Sequence, residues 1–317
     1  MEYVLLFLGF ILLIKGADFF VDGAADVARK LKIPSIIIGL TVVAFGTSLP
    51  EASVSITAAI NGSNELALSN VIGSNIFNLL IVVGVSAALR PILVRKSVLK
   101  FDFPYSILIT VVLLLMCIPT MFQGSVQSVI QKWEGFVLLA FFVFYLIITV
   151  RSALKARKEH VDSPEDNISH PTWQIIVFII LGLAGIVIGG DLVVDSASAI
   201  AISWGWSETF VGLTIVALGT SLPELVTSVI AAGKGESDLA LGNVVGSNIF
   251  NILLVLGASS ALSAVPVNLF SIYDILFLII ASLVVYLFAW RKKNISRPEG
   301  LIMIPIYVAF FLFIAFR

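Results

Sequence analysis

The sequence predicts an all-α polytopic membrane protein of ten transmembrane helices, arranged as two inverted five-helix repeats. Three observations carry this. The chain of 317 residues is 59% hydrophobic and 12% charged, with a mean hydropathy of +1.08, far from the balance of a soluble domain. Long apolar segments recur along its whole length. One motif studded with polar residues occurs twice, at a constant offset of 173 residues, and the loops around the two copies differ in charge.

The apolar segments fall at roughly 3–28, 35–60, 66–89, 103–121, 133–151, 173–201, 208–232, 239–262, 272–290 and 300–316. The first begins MEYV and carries Lys15, Asp18, Asp22 and Asp26, so it reads as a membrane helix rather than a cleavable signal. The long polar stretch from Arg151 to Pro171 divides the chain into a first repeat (1–151), a linker (152–172) and a second repeat (173–317). His160 and His170 both lie in this linker. With no cysteine or third histidine beside them, they read as solvated residues and not as a metal site. The single cysteine, Cys117, rules out an intramolecular disulfide framework. A formal net charge of −1 gives no footprint for nucleic acid. No GxxxxGK[ST] motif for a nucleotide is present.

Basic residues fix the expected orientation. With the N-terminus outside, 16 of the 19 Lys and Arg residues fall on inside connections, and only Lys132 and Arg317 fall outside. Both termini are then outside the cell, and the linker is cytoplasmic. Five helices per half is an odd number, so the second half starts from the opposite face. The loop Arg29–Lys32 is basic, whereas its counterpart 173 residues on, Ile202–Gly205, has no basic residue. Homologous halves of opposite orientation are a signature of secondary transporters.

The repeated stretches are 39–78 and 212–251, identical at 26 of 40 aligned positions. Each holds GTSLPE in the middle of an apolar segment and GSNIFN in the next. Pro50 and Pro223 cannot donate to the carbonyls of Gly46 and Gly219, so carbonyls around Ala44–Thr47 and Ala217–Thr220 can turn off the helix axis. Glu51 and Glu224 supply carboxylates, and Thr47, Ser48, Thr220 and Ser221 supply hydroxyls. Ser74 and Asn78, like Ser247 and Asn251, share a helical face at i, i+4 spacing. One such motif reads equally well as helix packing. Two inverted copies, each with a carboxylate, point instead to a hard cation bound by oxygen: Ca²⁺ with its six to eight ligands at about 2.3–2.6 Å, or Na⁺. Buried acids with no membrane Lys or Arg nearby must be cation-bound or protonated. Asp18, Asp22, Asp191 and Asp195 recur at the same offset in helices one and six, with structural and water-facing roles equally open.

GTSLPE followed by GSNIFN, twice and inverted, resembles the two alpha repeats of the calcium/cation antiporter superfamily, the sodium/calcium exchanger group, and most of all its compact prokaryotic members. The resemblance covers essentially the whole chain. It implies the exchanger fold and a central cluster of four cation sites. A calcium site would use Glu51 and Glu224 with the carbonyls of Thr47 and Thr220. Sodium sites would use Ser48, Ser74, Ser221, Ser247, the carbonyls of Ala44 and Ala217, and the same glutamates. Asn78 and Asn251 would line the middle. Some members carry aspartate at the position of Asn251, so this chain offers two carboxylates in place of three acids. The resemblance further implies that the first and sixth helices slide to switch access.

The expectation is therefore a Na⁺/Ca²⁺ antiporter of a prokaryotic inner membrane, not an enzyme. It needs no cofactor and no partner beyond its ions and the lipid bilayer, and its transport unit is a single chain. H⁺/Ca²⁺ exchange on the same scaffold is the alternative. A cation channel and a purely structural scaffold are the readings from other classes.

Overall fold

The apolar segments become helices nearly throughout the computed structural model, which describes residues 1–118, 128–159, 169–207 and 211–316. His160, with the rest of 160–168, and Arg317 lie outside the described residues. The helices are α1 (Glu2–Leu31), α2 (Ser35–Thr47), α3 (Leu49–Ile60), α4 (Glu65–Leu89), α5 (Val98–Cys117), α6 (Lys132–Glu159), α7 (Thr172–Ser203), α8 (Thr214–Lys234), α9 (Ser237–Leu262), α10 (Leu269–Lys292) and α11 (Arg297–Ala315). Among the described residues nine of them are long and apolar enough to cross a bilayer alone, and the α2–α3 pair, bent by 49°, makes the tenth span.

Local chemistry sets the helix ends. Gly62 (φ 79°) turns the chain after α3, and its repeat mate Gly235 (φ 86°) does the same after α8; both need the left-handed region that glycine enters freely. Asn268 caps α10 by accepting the Ser271 N–H at 2.8 Å. Ser296 and Glu299 form a capping box that starts α11.

Two small antiparallel ribbons show the inversion directly. β1 (Ile92–Leu93), after α4, pairs with β4 (Asn294–Ile295), after α10. β2 (Ser128–Ile130), after α5, pairs with β3 (Val265–Val267), after α9. Each ribbon joins one half to the other, and α5 runs from the first ribbon to the second, so they lie on opposite faces. The first ribbon lies on the face that receives the linker, here termed the linker face. The other is the terminal face, where α1 begins and α11 ends.

The third and eighth spans, α4 and α9, form the centre and are largely buried, whereas α7 and α11 are largely exposed on the outside. α1 and α7 pack against each other along most of their length, outside this centre. Glycines allow their backbones to touch. A Cβ on Gly182 would stand 2.6 Å from the Phe20 nitrogen, and one on Gly16 2.8 Å from the Gly182 oxygen.

Ion pairs gather on the linker face. Arg29 bridges Asp26 (2.9 Å) and Glu236 (2.7 Å), and His170 Nδ1 lies 2.8 Å from Asp26. Arg95 pairs with Asp238. Lys234, at the end of α8, reaches Asp18 (2.7 Å) and Asp22 (2.6 Å) on α1. That assigns the first pair of repeated acids a structural role at the α1–α8 contact.

Candidate cation site

The site is built on two breaks in helices. α2 stops at Thr47, the chain turns at Ser48 (φ −83°, ψ 6°), and α3 starts at Leu49. α8 is interrupted in the same way at Thr220 and Ser221 (φ −94°, ψ 4°). Pro50 and Pro223 therefore sit in the first turn of a new segment and not inside a continuous helix. That position suits proline, because its missing N–H would have no intrahelical acceptor there anyway. Glu51 and Glu224 fall in the same first turn, where the positive end of the helix dipole favours a carboxylate. Stretches of wider π-helical turn precede the breaks (Gly39–Val43 and Gly212–Val216) and open at the two asparagines (Asn78–Val82 and Asn251–Leu256). Such turns are rare and cluster at functional sites.

The halves interlock through these breaks. Ser221 Oγ donates to Glu51 Oε1 at 2.9 Å, and Ser48 Oγ donates to Glu224 Oε1 at 3.0 Å. Each carboxylate is thus held by the serine of the other repeat. Ser247 Oγ also donates to Glu224 Oε1, at 3.4 Å. Both glutamates are 0% exposed. Thr47, Ser48, Ser74, Asn78, Thr220, Ser221, Ser247, Asn251 and Ala44 are buried as well, whereas Ala217 is exposed. The Ala44 carbonyl is not turned off the axis as expected: it accepts the Ser48 N–H at 3.0 Å. In the second repeat the Ser221 N–H goes to Leu218 instead, at 3.2 Å, so the two breaks are not identical.

Four asparagines form the floor between α4 and α9. Asn75 Nδ2 donates to the Asn248 carbonyl (3.1 Å), and Asn248 Nδ2 to the Asn75 carbonyl (3.2 Å). Asn78 Nδ2 donates to Asn248 Oδ1 (3.2 Å), and Asn251 Nδ2 to Asn75 Oδ1 (3.1 Å). Sequence reasoning missed Asn75 and Asn248. It also missed Asn70 and Asn243, whose Nδ2 atoms donate to Ser55 Oγ (3.0 Å) and Ser228 Oγ (2.9 Å). All six are identical between the repeats, and that identity was the available signal.

The arrangement leaves oxygens without donors. Glu51 Oε2, Glu224 Oε2, Asn78 Oδ1 and Asn251 Oδ1 are all buried and have no hydrogen-bond partner. These four fall into two symmetry-related pairs on the two motifs, where a positive ligand or a proton would satisfy them. The donor set is all oxygen, which suits hard cations. Among the described residues no cluster of three or more His, Cys, Asp or Glu side chains is placed to hold a metal, so a cation here relies on amide, hydroxyl and backbone oxygens beside two carboxylates.

Comparison with known proteins gives consistent matches. The profile of the family described as "Sodium/calcium exchanger protein" matches residues 1–151 and 174–316. The sodium/calcium exchanger MaX1 of Methanosarcina acetivorans is 34% identical, over 98% of this chain and 97% of its own. The inner membrane protein YrbG of Escherichia coli is 35% identical, over 91% of this chain and 89% of its own. The solved structure of the sodium-calcium exchanger NCX_Mj, soaked with Na⁺ and Ca²⁺, superposes with a TM-score of 0.83 at 34% identity, over 97% of this chain and 96% of that one.

Proposed function

The chain belongs to the sodium/calcium exchanger family, and on that premise we propose that it exchanges Na⁺ for Ca²⁺ across the membrane by alternating access. As a family member it is a multi-pass cation antiporter and not an enzyme. The two repeats, 1–151 and 173–317, share one central site. The observation that carries the reading is the pair of fully buried carboxylates, each with one oxygen tied to the other repeat and one oxygen free.

Ca²⁺ would take Glu51 Oε2 and Glu224 Oε2, with the carbonyls of Thr47 and Thr220 beside them. Na⁺ would take the same carboxylates together with Ser48, Ser74, Ser221, Ser247, the Ala217 carbonyl and the Ala44 carbonyl, the last through the lone pair left over from its bond to the Ser48 N–H. Asn78 Oδ1 and Asn251 Oδ1 would face the centre. Two carboxylates with no cation among the site residues carry a formal −2, which one Ca²⁺ neutralises and which Na⁺ neutralises only by multiple occupancy. A site empty of both cations and protons leaves that charge buried, at a cost of several kcal/mol per ion. The empty carrier therefore resists switching, and exchange is coupled. The protein would sit in a prokaryotic inner membrane, with the basic linker face in the cytoplasm.

The test is ⁴⁵Ca²⁺ uptake into proteoliposomes loaded with Na⁺ or with choline at equal pH, followed by a pH gradient in choline. Uptake that requires internal Na⁺ is the expected result. Uptake that follows only the pH gradient would replace Na⁺ by H⁺ on the same glutamates, and a steady single-channel current would overturn the carrier.

A further inference from the structure

The two repeats match in sequence around the site but not in conformation. Thr47 Oγ1 donates to Asn243 Oδ1 at 2.9 Å, joining the first repeat to the second. The same carboxamide donates from Nδ2 to Ser228 Oγ (2.9 Å) and to the Glu224 carbonyl (3.4 Å). Asn70, the mate of Asn243, makes the corresponding bonds, to Ser55 Oγ (3.0 Å) and the Glu51 carbonyl (3.5 Å). The third bond is missing. Thr220 Oγ1, the mate of the Thr47 hydroxyl, is buried and has no partner. The surroundings follow the same asymmetry: Asn243 and Ala44 are fully buried, whereas Asn70 is half-buried and Ala217 is exposed.

Position in the spans assigns these bonds to faces. α2 leaves the linker face and α9 starts there, so Thr47 and Asn243 lie on the linker side of the glutamates. α4 starts at the terminal face and α8 runs from it, so Thr220 and Asn70 lie on the terminal side. A second observation agrees. On the linker face Lys234 ties α8 to Asp18 and Asp22 of α1. Their mates Asp191 and Asp195 are exposed, and the position equivalent to Lys234 is Asn61, which offers no charge. The site is thus closed toward the linker face and loosened toward the terminal face.

We propose that Thr47–Asn243 and Thr220–Asn70 are the two halves of an alternating clasp, and that switching access breaks the first bond and forms the second. The proposal rests on the exchanger reading. Asn70 and Asn243 are positioning residues in it: each fixes its own glutamate's backbone and receives the threonine of the opposite repeat only in the state closed on its side. The structure is the state in which the linker-side clasp is shut.

The experiment measures half-saturating Ca²⁺ separately at each face, in membrane vesicles of the two orientations holding the full chain. Asn243→Ala and Thr47→Val both remove the linker-side bond. Each should raise half-saturating Ca²⁺ at the terminal face and lower it at the linker face, by about two- to tenfold, the weight of one buried hydrogen bond on a two-state equilibrium. Asn70→Ala removes the other bond and should move both values the opposite way. Because Thr47 acts through Asn243, the double variant Asn243→Ala/Thr47→Val should shift no further than Asn243→Ala alone. Thr47→Val keeps the side-chain shape and the carbonyl, so it carries the test if Asn243→Ala fails to fold. A shift of the same sign at both faces, or a lower maximal rate with neither value moved, would overturn the clasp. No Na⁺-dependent Ca²⁺ uptake by the unsubstituted protein would instead overturn the exchanger reading.

Discussion

At the scale of single residues, the proposed exchange rests on the two buried glutamates. Each is anchored by a serine from across the repeat boundary, so its free oxygen has a fixed aim before any ion arrives. Glu51→Gln removes one of two charges and should abolish Na⁺-dependent ⁴⁵Ca²⁺ uptake while leaving the folded protein intact by size-exclusion chromatography; uptake at the unsubstituted rate would refute the role of Glu51. The asparagine floor permits the converse change. Asn251→Asp would add a third carboxylate to the set, and affinity for Ca²⁺ scales with ligand charge. Half-saturating Ca²⁺ should fall on the order of tenfold, read in the same uptake assay. An unchanged value would mean that Asn251 does not face the ion.

At the scale of elements, the α1–α7 pair packs on the outside of the α4–α9 centre, chiefly against α8, while its own two backbones are in contact. Paired helices of this kind can move as a unit only if nothing protrudes between them. Gly182→Val would push a side chain into the Phe20 backbone, 2.6 Å from its first added carbon. Overpacking of this sort costs about 1–3 kcal/mol. The expected outcome is a loss of transport with Ca²⁺-dependent thermal stabilisation retained, since the proposed ligands lie elsewhere. Transport at the normal rate would show that α1 and α7 tolerate separation.

For the molecule as a whole, ion binding should be visible as stability. A ligand at one hundred times its dissociation constant adds about 2.7 kcal/mol to the folded state, so Ca²⁺ should raise the melting temperature of the detergent-solubilised protein, and Glu51→Gln/Glu224→Gln should erase the rise. Orientation has its own test. Trypsin should cut at Arg157 and Lys158 in inside-out vesicles and not in right-side-out ones; the opposite pattern would reverse the assignment of the linker face to the cytoplasm. The ten spans and the inversion were legible in the sequence because hydropathy and loop charge act on each span independently. The cores of the two motifs, Glu51 with Ser48 and Glu224 with Ser221, were legible for a related reason: polar residues in hydrocarbon stand out one by one. Asn70, Asn243, Ser55 and Ser228 were equally repeated but lie one or more helical turns from the motif, where single polar residues look like packing. The bond between Lys234 and the acids of α1 was hidden for the opposite reason, since lysine has no counterpart at Asn61. Which side of the site is shut was not legible at all. Thr47 and Thr220 stand in the same GTSLPE motif, and only their hydrogen bonds separate them.

The paired ribbons have a consequence for biogenesis. β1 leaves the ribosome early, and β4, its partner, follows about two hundred residues later. Until the seventh and eighth spans follow, the nascent first half holds half a site, with Glu51 lacking the Ser221 hydroxyl and α4 lacking the neighbour that covers it. Contacts so distant in sequence form slowly, and incomplete intermediates of this size are prone to misassembly. The first five spans are therefore an unfinished product in the bilayer: the seventh and eighth complete the site, and the strand between the ninth and tenth closes the ribbon.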